Sequence, residues 1–140
     1  GPIVFAVVAR YHGGAYVVFS KALNENLTSM AVEGSYASVI GGAPAAAVVF
    51  PREVRARTLD DARVVEASEA VSKAKPADRP RLREAHAKIY NQVYSENQGK
   101  VAKEFDTIHS VERACEVGSL DAVVSPQELR ESVIKALDSP

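Results

Sequence analysis

The residues Tyr11-His12-Gly13-Gly14-Ala15-Tyr16 stand between two segments of different character. Residues 3–10, which precede them, form a β-branched run that predicts a buried strand. Residues 14–22 (GAYVVFSKA) predict a short helix. The paired glycines mark the break between the two segments. The chain is therefore expected to open with a strand, a tight turn and a helix.

A second glycine-rich turn repeats this order. Residues 28–33 and 35–40 predict two strands joined at Gly34. Val39-Ile40-Gly41-Gly42-Ala43-Pro44 then leads into a helix, and its proline suits the first helical position. That helix carries the sequence AAAVVF and is expected to end near Pro51. The first half of the chain is therefore predicted to mix strands and helices.

The second half is predicted to be almost entirely helical. Thr58 and Asp61 are expected to form a capping pair for its first helix, and Asp78 is expected to cap its second. Gly118 is expected to end a later helix, before a short strand at residues 120–124. The predicted helices cover residues 58–73, 80–97, 99–107, 110–117 and, from the capping box Ser125-Pro126-Gln127-Glu128, onwards to about Leu137.

The composition is that of an ordinary globular chain. Hydrophobic residues make up 46% of the 140 residues, which suffices for one core. The 17 basic and 18 acidic residues nearly cancel, so we expect no nucleic-acid partner, because such partners need a basic face. No apolar run approaches the roughly 20 residues of a membrane span, so we expect no membrane association.

The cysteine, the histidines and the chain start add three expectations. Cys115 has no second cysteine to pair with, which favours a reducing, cytoplasmic compartment. Three scattered histidines and this cysteine lack metal-ligand spacing, so no metal site is expected. The chain starts without methionine, on a core-type strand for which the sequence barely supplies sheet neighbours. We therefore expect a piece of a longer polypeptide whose exposed sheet edge favours self-association.

The first glycine turn is the segment best suited to carry chemistry. The first amides of a helix have no partner within the helix and carry the positive end of its dipole. Glycine lets a ligand oxygen approach such amides closely, and each donor to an oxyanion contributes about 3–4 kcal/mol in enzymes. The residues alone leave two interpretations open: an anion-holding turn, or a tight connection without a ligand. For the second turn, a closely packing helix is the corresponding alternative.

The two glycine turns are followed by Gly118-Ser119-Leu120-Asp121-Ala122-Val123-Val124-Ser125-Pro126. In this order the three segments resemble the C-terminal subdomain of the biotin-dependent acyl-CoA carboxyltransferases, in the crotonase-like superfamily. The resemblance is closest to the single-chain multidomain type of acyl-CoA carboxylase. That type also carries the stretches that read here Ile89-Tyr90-Asn91-Gln92-Val93 and Phe105-Asp106-Thr107-Ile108-His109. The resemblance covers nearly the whole chain.

The resemblance implies a fold and a domain organisation. The fold is α/β, the C-terminal half of a crotonase/ClpP-like ββα superhelix with a long helical insertion and C-terminal helices. One subdomain would occupy residues 1–140. Its parts would be a strand-and-helix core at 1–57, the helical insertion at 58–107, and a closing strand with helices at 108–140.

The resemblance also implies a chemistry. In that family a carboxyl group moves from carboxybiotin to the α-carbon of an acyl-CoA. Gly14 and Ala15 would be the catalytic residues, because their amides donate to the ureido oxygen of biotin and stabilise the charge left when CO2 departs. Biotin N1 can take the α-proton, so no protein base is required. The cofactor is biotin on a carrier domain, and the substrate is an acyl-CoA.

The implied partners are the N-terminal carboxyltransferase half and the biotin carboxyl carrier and biotin carboxylase domains, in a homo-oligomer. The isolated chain would be inactive. Val17 lies where the family lines a pocket, which favours an apolar acyl group. Some relatives have an arginine where this chain has His12, so a carboxylate contact there is in doubt and a hydrogen-bonded turn residue is the alternative. The residues implied to bind biotin or substrate are His12, Gly13, Tyr16, Val17, Gly41 and Gly42.

Several other functions stay open. A related biotin-dependent decarboxylase subunit would run the transfer in reverse, and a helical oligomerisation module would not respond to biotin. A serine peptidase on the same fold needs a serine nucleophile with a histidine partner, where this chain has Gly14-Ala15. A hydratase usually needs paired glutamates near these turns, where this chain has Glu33. The acyl chain preference, the reaction direction, the neighbouring domains and the oligomer number are not determined by the sequence.

Overall fold

The computed structural model describes residues 1–138. They fall into two compact units, residues 1–41 with 105–138, and residues 42–104. Residues 58–104 of the expected insertion lie in the second unit, which also includes residues 42–57 of the expected core.

The elements alternate between short strands and helices before the chain becomes helical. In chain order they are β1 (Ile3–Val7), β2 (Arg10–Tyr11), α1 (Ala15–Val18), β3 (Leu27–Val32), β4 (Tyr36–Ala37), α2 (Gly42–Pro44), a π-helical segment (Ala45–Val49), α3 (Pro51–Leu59), α4 (Ala62–Lys73), α5 (Arg79–Ile108), α6 (Val111–Glu116), β5 (Ala122–Val124) and α7 (Leu129–Asp138).

A parallel sheet with strand order β1-β3-β5 forms the centre of the first unit. In its register Ile3 pairs with Leu27, and Met30 pairs with Ala122. Strand β3 is bonded on both sides and four of its six residues are buried, as a central parallel strand requires. The expectation that the chain barely supplies neighbours for the opening strand was therefore wrong, because β3 pairs along the whole of β1.

A second, two-stranded parallel sheet joins β2 to β4, with Arg10 opposite Tyr36 and Tyr11 opposite Ala37. The single strand predicted at residues 3–10 is thus divided at Val8, which is 64% exposed where the chain leaves the first sheet. Twice the chain passes from the first sheet to the second and then into a helix, as β1-β2-α1 and β3-β4-α2. This repeated ββα order is the predicted fold.

The core of the first unit is built from both sheets and α6. Partly buried aromatic side chains, Phe5, Tyr11 and Tyr16, pack against it. Burial of such apolar surface is the main stabilising contribution to a small unit. The buried members are Val7, Ala31, Ala37, Val111, Ala114 and Leu120.

Asp121 fastens β5 to β3. Its amide donates to the carbonyl of Ser29 at 2.8 Å, and its Oδ2 accepts from the amide and hydroxyl of Ser29 at 2.8 and 3.2 Å. Its Oδ1 pairs with the ammonium group of Lys21. Burial opposes ionisation of Asp121, but the bonds from Lys21 and Ser29 outweigh it, so the pKa of Asp121 lies below its ordinary value.

The second unit differs from the prediction at its first two helices. The π-helical segment ends shortly before Pro51, as predicted. Pro51 then begins α3, in the position where a proline costs no hydrogen bond, whereas the next helix was predicted to start at Thr58. Thr58 lies inside α3, fully buried, and its hydroxyl donates to the carbonyl of Val54 at 2.7 Å. The predicted Thr58 cap was therefore wrong. Asp61 alone caps α4, accepting from the amide of Arg63 at 3.0 Å.

Helix α5 runs without a break for 30 residues, where two helices were predicted to meet near Gly99. Val93, Asn97 and Val101 are buried at a spacing of four residues, which places them on one face. The amide of Asn97 donates to the hydroxyl of Thr58 at 3.4 Å. A glycine inside a helix costs about 1 kcal/mol relative to alanine, and the packing of this face offsets that cost.

The two C-terminal helices form near the predicted positions, but the last one starts later than its capping box predicts. Ser110 caps α6, accepting from the amide of Arg113 at 3.2 Å. The carboxylate of Glu128 reaches back to the amide and hydroxyl of Ser125 at 3.2 and 2.7 Å, as in the predicted capping box. The helix itself begins only at Leu129. Within residues 1–138, no helix combines the length and apolarity needed to cross a membrane.

We predict that Asp121→Ala lowers the free energy of unfolding by about 1–3 kcal/mol at pH 7, because the Ser29 amide loses its acceptor. The lowered pKa of Asp121 means that its contribution is present above the unfolded-state pKa of about 4 and is lost as the pH falls through the folded value. The unmodified chain should therefore lose more stability than the variant between neutral pH and about pH 3. Urea unfolding at both pH values measures this difference.

The matched control is Glu25→Ala, since Glu25 is an exposed carboxylate. It should change stability by less than about 0.5 kcal/mol. Equal pH dependence in the Asp121→Ala variant and the unmodified chain would contradict the assigned role of Asp121.

Candidate functional site

The first glycine turn directs the chain from β2 into α1. Gly13 has a φ of 93°, a conformation that residues with a Cβ rarely adopt. Its amide donates to the carbonyl of Val39 at 2.9 Å, which extends the pairing of β2 with β4 by one bond. The amide of Gly13 is therefore already engaged within the protein.

The amides of Gly14 and Ala15 differ from the amides on either side of them, which donate hydrogen bonds within the protein. The amides of Tyr16 and Val17 donate to the carbonyls of Gly13 and Gly14 at 3.0 and 3.1 Å. Gly14 and Ala15 are both exposed, and no acceptor among residues 1–138 takes up either amide. Two neighbouring N–H groups are therefore available to an oxygen atom of a ligand.

Helix α1 is shorter than predicted. It ends at Val18, where residues 14–22 were expected to be helical. The side-chain amide of Asn24 donates to the carbonyls of Val18 and Ser20 at 2.8 and 3.0 Å, which satisfies carbonyls that a longer helix would use. Because α1 has only four residues, its dipole is weak. The site therefore depends on hydrogen bonds from the free N–H groups of Gly14 and Ala15 themselves.

His12 points towards the second glycine-rich turn. Its Nδ1 lies 3.2 Å from the carbonyl oxygen and 3.1 Å from the hydroxyl of Ser38. Its Nε2 is buried and has no partner within the described part of the chain. A Cβ added to Gly41 would lie 3.1 Å from this Nε2. The structure thus brings together His12 and Gly41, two of the predicted site residues.

Tyr16, another predicted site residue, lines a cavity of about 250 Å³ in the first unit. The rings of Phe5 and Phe19, which stack on each other with centroids 4.7 Å apart, also line it, as does Lys21. Its lining includes neither Gly14 nor Ala15 nor Val17, and Val17 is 53% exposed. The cavity and the free amides are therefore separate features.

The hydroxyl of Tyr11 donates to the carbonyl of Ala15, which ties β2 to the first turn of α1. Burial, together with the neighbouring Tyr16, raises the pKa of Tyr11 above its ordinary value. The phenol therefore remains protonated and able to donate around neutral pH. Gly42, the last predicted site residue, is buried and begins α2 in the other unit.

Sequence reasoning did not identify three residues that shape this region: Ser38, the hydroxyl of Tyr11 and Lys21. Ser38 is 26 residues from His12, and Lys21 is 100 residues from its partner Asp121. No local pattern marks such pairs, because the fold alone brings them together. Residues 1–138 contain no group of three histidine, cysteine, aspartate or glutamate side chains arranged to hold a metal ion.

The family profile described as "Carboxyl transferase domain" matches residues 1–140. Among solved structures the chain is similar to transcarboxylase 12S with methylmalonyl-coenzyme A and methylmalonic acid bound, with a TM-score of 0.56, 19% identity and coverage of 98% of this chain and 20% of that one. It is also similar to transcarboxylase 12S with hydrolysed methylmalonyl-coenzyme A bound, with a TM-score of 0.54, 19% identity and the same coverage.

Both structures are described as a hexamer assembly with a multienzyme core. The chain spans about a fifth of the length of these proteins. At this identity the likeness establishes the fold, a crotonase-like mixture of helices and parallel sheets. No curated protein sequence matches the chain significantly.

We predict that Gly13→Ala destabilises the chain more than Gly14→Ala does. A Cβ would meet no atom within 4 Å at either position, so steric crowding is the same for both. Only Gly13 has a positive φ, whereas Gly14 has a φ of -60°. The difference in unfolding free energy should therefore be about 1–2 kcal/mol, the cost of placing alanine in the left-handed region. Thermal unfolding of both variants measures it, and equal midpoints would contradict the described turn.

Proposed function

The chain belongs to the carboxyl transferase domain family, and from that premise we propose that it is the biotin-side half of an acyl-CoA carboxyltransferase. The observation that carries the proposal is the pair of amides at Gly14 and Ala15, two exposed residues whose N–H groups no acceptor among residues 1–138 engages. These donors match what a ureido oxygen requires, because that oxygen accepts hydrogen bonds and gains negative charge during carboxyl transfer.

In the proposed mechanism this half contributes to the reaction through two backbone N–H groups, those of Gly14 and Ala15. Biotin, when bound in its carboxylated form on a carrier domain, supplies the carboxyl group for transfer to the α-carbon of an acyl-CoA. The N–H groups of Gly14 and Ala15 would hold the ureido oxygen and stabilise the charge that develops there. Their direction is fixed before the ligand arrives, because Gly13, Tyr16 and Val17 are held by bonds within the protein.

Tyr11 and Asn24 maintain the same short helix from its two ends. The phenol of Tyr11 holds the carbonyl of Ala15, and Asn24 holds the carbonyls of Val18 and Ser20. Neither side chain needs to exchange a proton with the substrate. The proposed chemistry therefore assigns no proton transfer to Tyr11 or Asn24, whose role is to hold the helix that carries the two amides.

An acyl-CoA is the proposed acceptor, since the transcarboxylase 12S structures contain methylmalonyl-coenzyme A or its hydrolysed form. We propose that most of the acyl-CoA site lies on an N-terminal carboxyltransferase half. Exposed apolar side chains on α1 and in the segment after it support a covering partner: Val17 is 53%, Val18 58% and Leu23 67% exposed. The proposed assembly also contains a carrier domain, a biotin carboxylase domain and further copies of this chain. Within each copy, the expected core, insertion and closing segments form one subdomain.

We predict that Gly14→Pro, assayed in the chain combined with its N-terminal half, lowers kcat for carboxyl transfer between an acyl-CoA and biocytin by about 100- to 1,000-fold. Proline suits the φ of -60° at this position, so the substitution removes an N–H group while preserving the turn. Steady-state kinetics with biocytin as the carboxyl donor or acceptor provides the measurement.

Gly14→Ala is the matched variant, because it keeps the amide and should lose less activity than Gly14→Pro. Thermal unfolding of both variants shows whether the fold is retained. An unchanged rate in a folded Gly14→Pro variant would remove the proposed oxyanion role, and an absence of any biotin effect in the combined enzyme would favour an oligomerisation module.

A further inference from the structure

Residues 11–13 and 38–40 are joined by a continuous set of hydrogen bonds. The amide of Ser38 donates to the carbonyl of Tyr11 at 3.1 Å, and the amide of Gly13 donates to the carbonyl of Val39 at 2.9 Å. Between these two backbone bonds lies the imidazole of His12, with its Nδ1 at 3.2 Å from the carbonyl of Ser38. His12 is therefore the side chain at the centre of the junction between the two glycine-rich turns.

The surroundings of Nδ1 determine where the ring carries its hydrogen. The hydroxyl of Ser38 donates to the carbonyl of Ile40 at 2.7 Å, so its oxygen can accept from Nδ1 at 3.1 Å. Both groups near Nδ1 are thus acceptors, and a backbone carbonyl cannot donate. The ring accordingly has its hydrogen on Nδ1. Ser38, which is 4% exposed, in turn donates its hydroxyl to the carbonyl of Ile40.

The opposite edge of the ring is held by packing. Nε2 is buried and has no partner among residues 1–138. A Cβ added to Gly41 would lie 3.1 Å from Nε2 and 3.3 Å from Cδ2. The ring would have to shift by a few tenths of an ångström to accommodate such a Cβ. One edge of His12 is therefore fixed by hydrogen bonds, and the other faces the position that a Cβ of residue 41 would occupy.

We infer that His12 is a positioning residue, which clamps the turn at Gly13–Ala15 against residues 38–41 and so sets the direction of the two free amides. This inference rests on the proposed function. It differs from a ligand contact by His12, because both ring nitrogens are directed into the protein. Freeing Gly13 from the clamp would let the Gly14 and Ala15 N–H groups diverge, and small displacements of such groups are costly for catalysis.

Kinetics of the chain combined with its N-terminal half test the clamp. His12→Ala should lower kcat/KM for biocytin by about tenfold to a hundredfold and leave KM for the acyl-CoA unchanged. His12→Asn should recover most of the loss, because the asparagine amide can donate to Ser38 as Nδ1 does. His109→Ala is the matched control, since it removes a similar bond, from Nδ1 to the carbonyl of Phe105 at 2.9 Å, at the end of α5. It should leave kcat/KM for biocytin unchanged.

A double-mutant cycle on His12 and Gly41 tests the contact between the His12 ring and residue 41 without any assay of activity. Gly41→Ala should lower the unfolding midpoint when His12 is present, because the new methyl group meets the ring. In the His12→Ala background the same substitution should have little effect, so the two changes are not additive.

The outcomes separate the clamp from the proposed function. Equal losses in His12→Ala and His12→Asn, an equal loss in His109→Ala, or additive effects in the cycle would overturn the clamp. A combined enzyme without carboxyl transfer would overturn the proposed function, and the unfolding cycle would then decide the clamp by itself.

Discussion

The hydrogen bond from the amide of Gly13 to the carbonyl of Val39 determines how the first unit is arranged around its turn. It extends the second sheet beyond β2 and β4 and requires the positive φ that glycine supplies at this position. Since it consumes the Gly13 amide, the amides left without a partner among residues 1–138 at this turn are those of Gly14 and Ala15. One backbone bond thus connects the topology of the fold to the chemistry proposed for the chain.

Much of the fold could be predicted from local patterns. The β-branched opening, the two glycine turns and the capping box at Ser125 each specify structure through their immediate neighbours. The errors arose where distant packing decided the outcome. Gly99 was expected to interrupt a helix, but α5 buries Val93, Asn97 and Val101 on one face and continues through it. In the same way Thr58 has the chemistry of a cap, yet its burial beside Asn97 places it inside α3.

The candidate site was predictable to a similar extent. The Gly14-Ala15 pair is visible in the sequence because the chemistry belongs to the backbone, and the glycines that shape a turn are its signal. The contacts of His12 were not visible, because Ser38 and Gly41 reach it only through the pairing of β2 with β4. The assignment of biotin to the two amides rests on the family, because a strand, a turn and a helix do not specify a ligand by themselves.

The bond between Asp121 and Ser29 spans 92 residues of chain, whereas the first partners of β1 and β3, Ile3 and Leu27, are only 24 residues apart. Closing the longer loop costs about 1 kcal/mol more in chain entropy. We therefore expect the central sheet to assemble in a defined order, with β1 and β3 associating early and β5 arriving last. During synthesis on the ribosome, β3 would keep one edge unpaired until residues 122–124 have emerged, which makes that interval the one most exposed to aggregation.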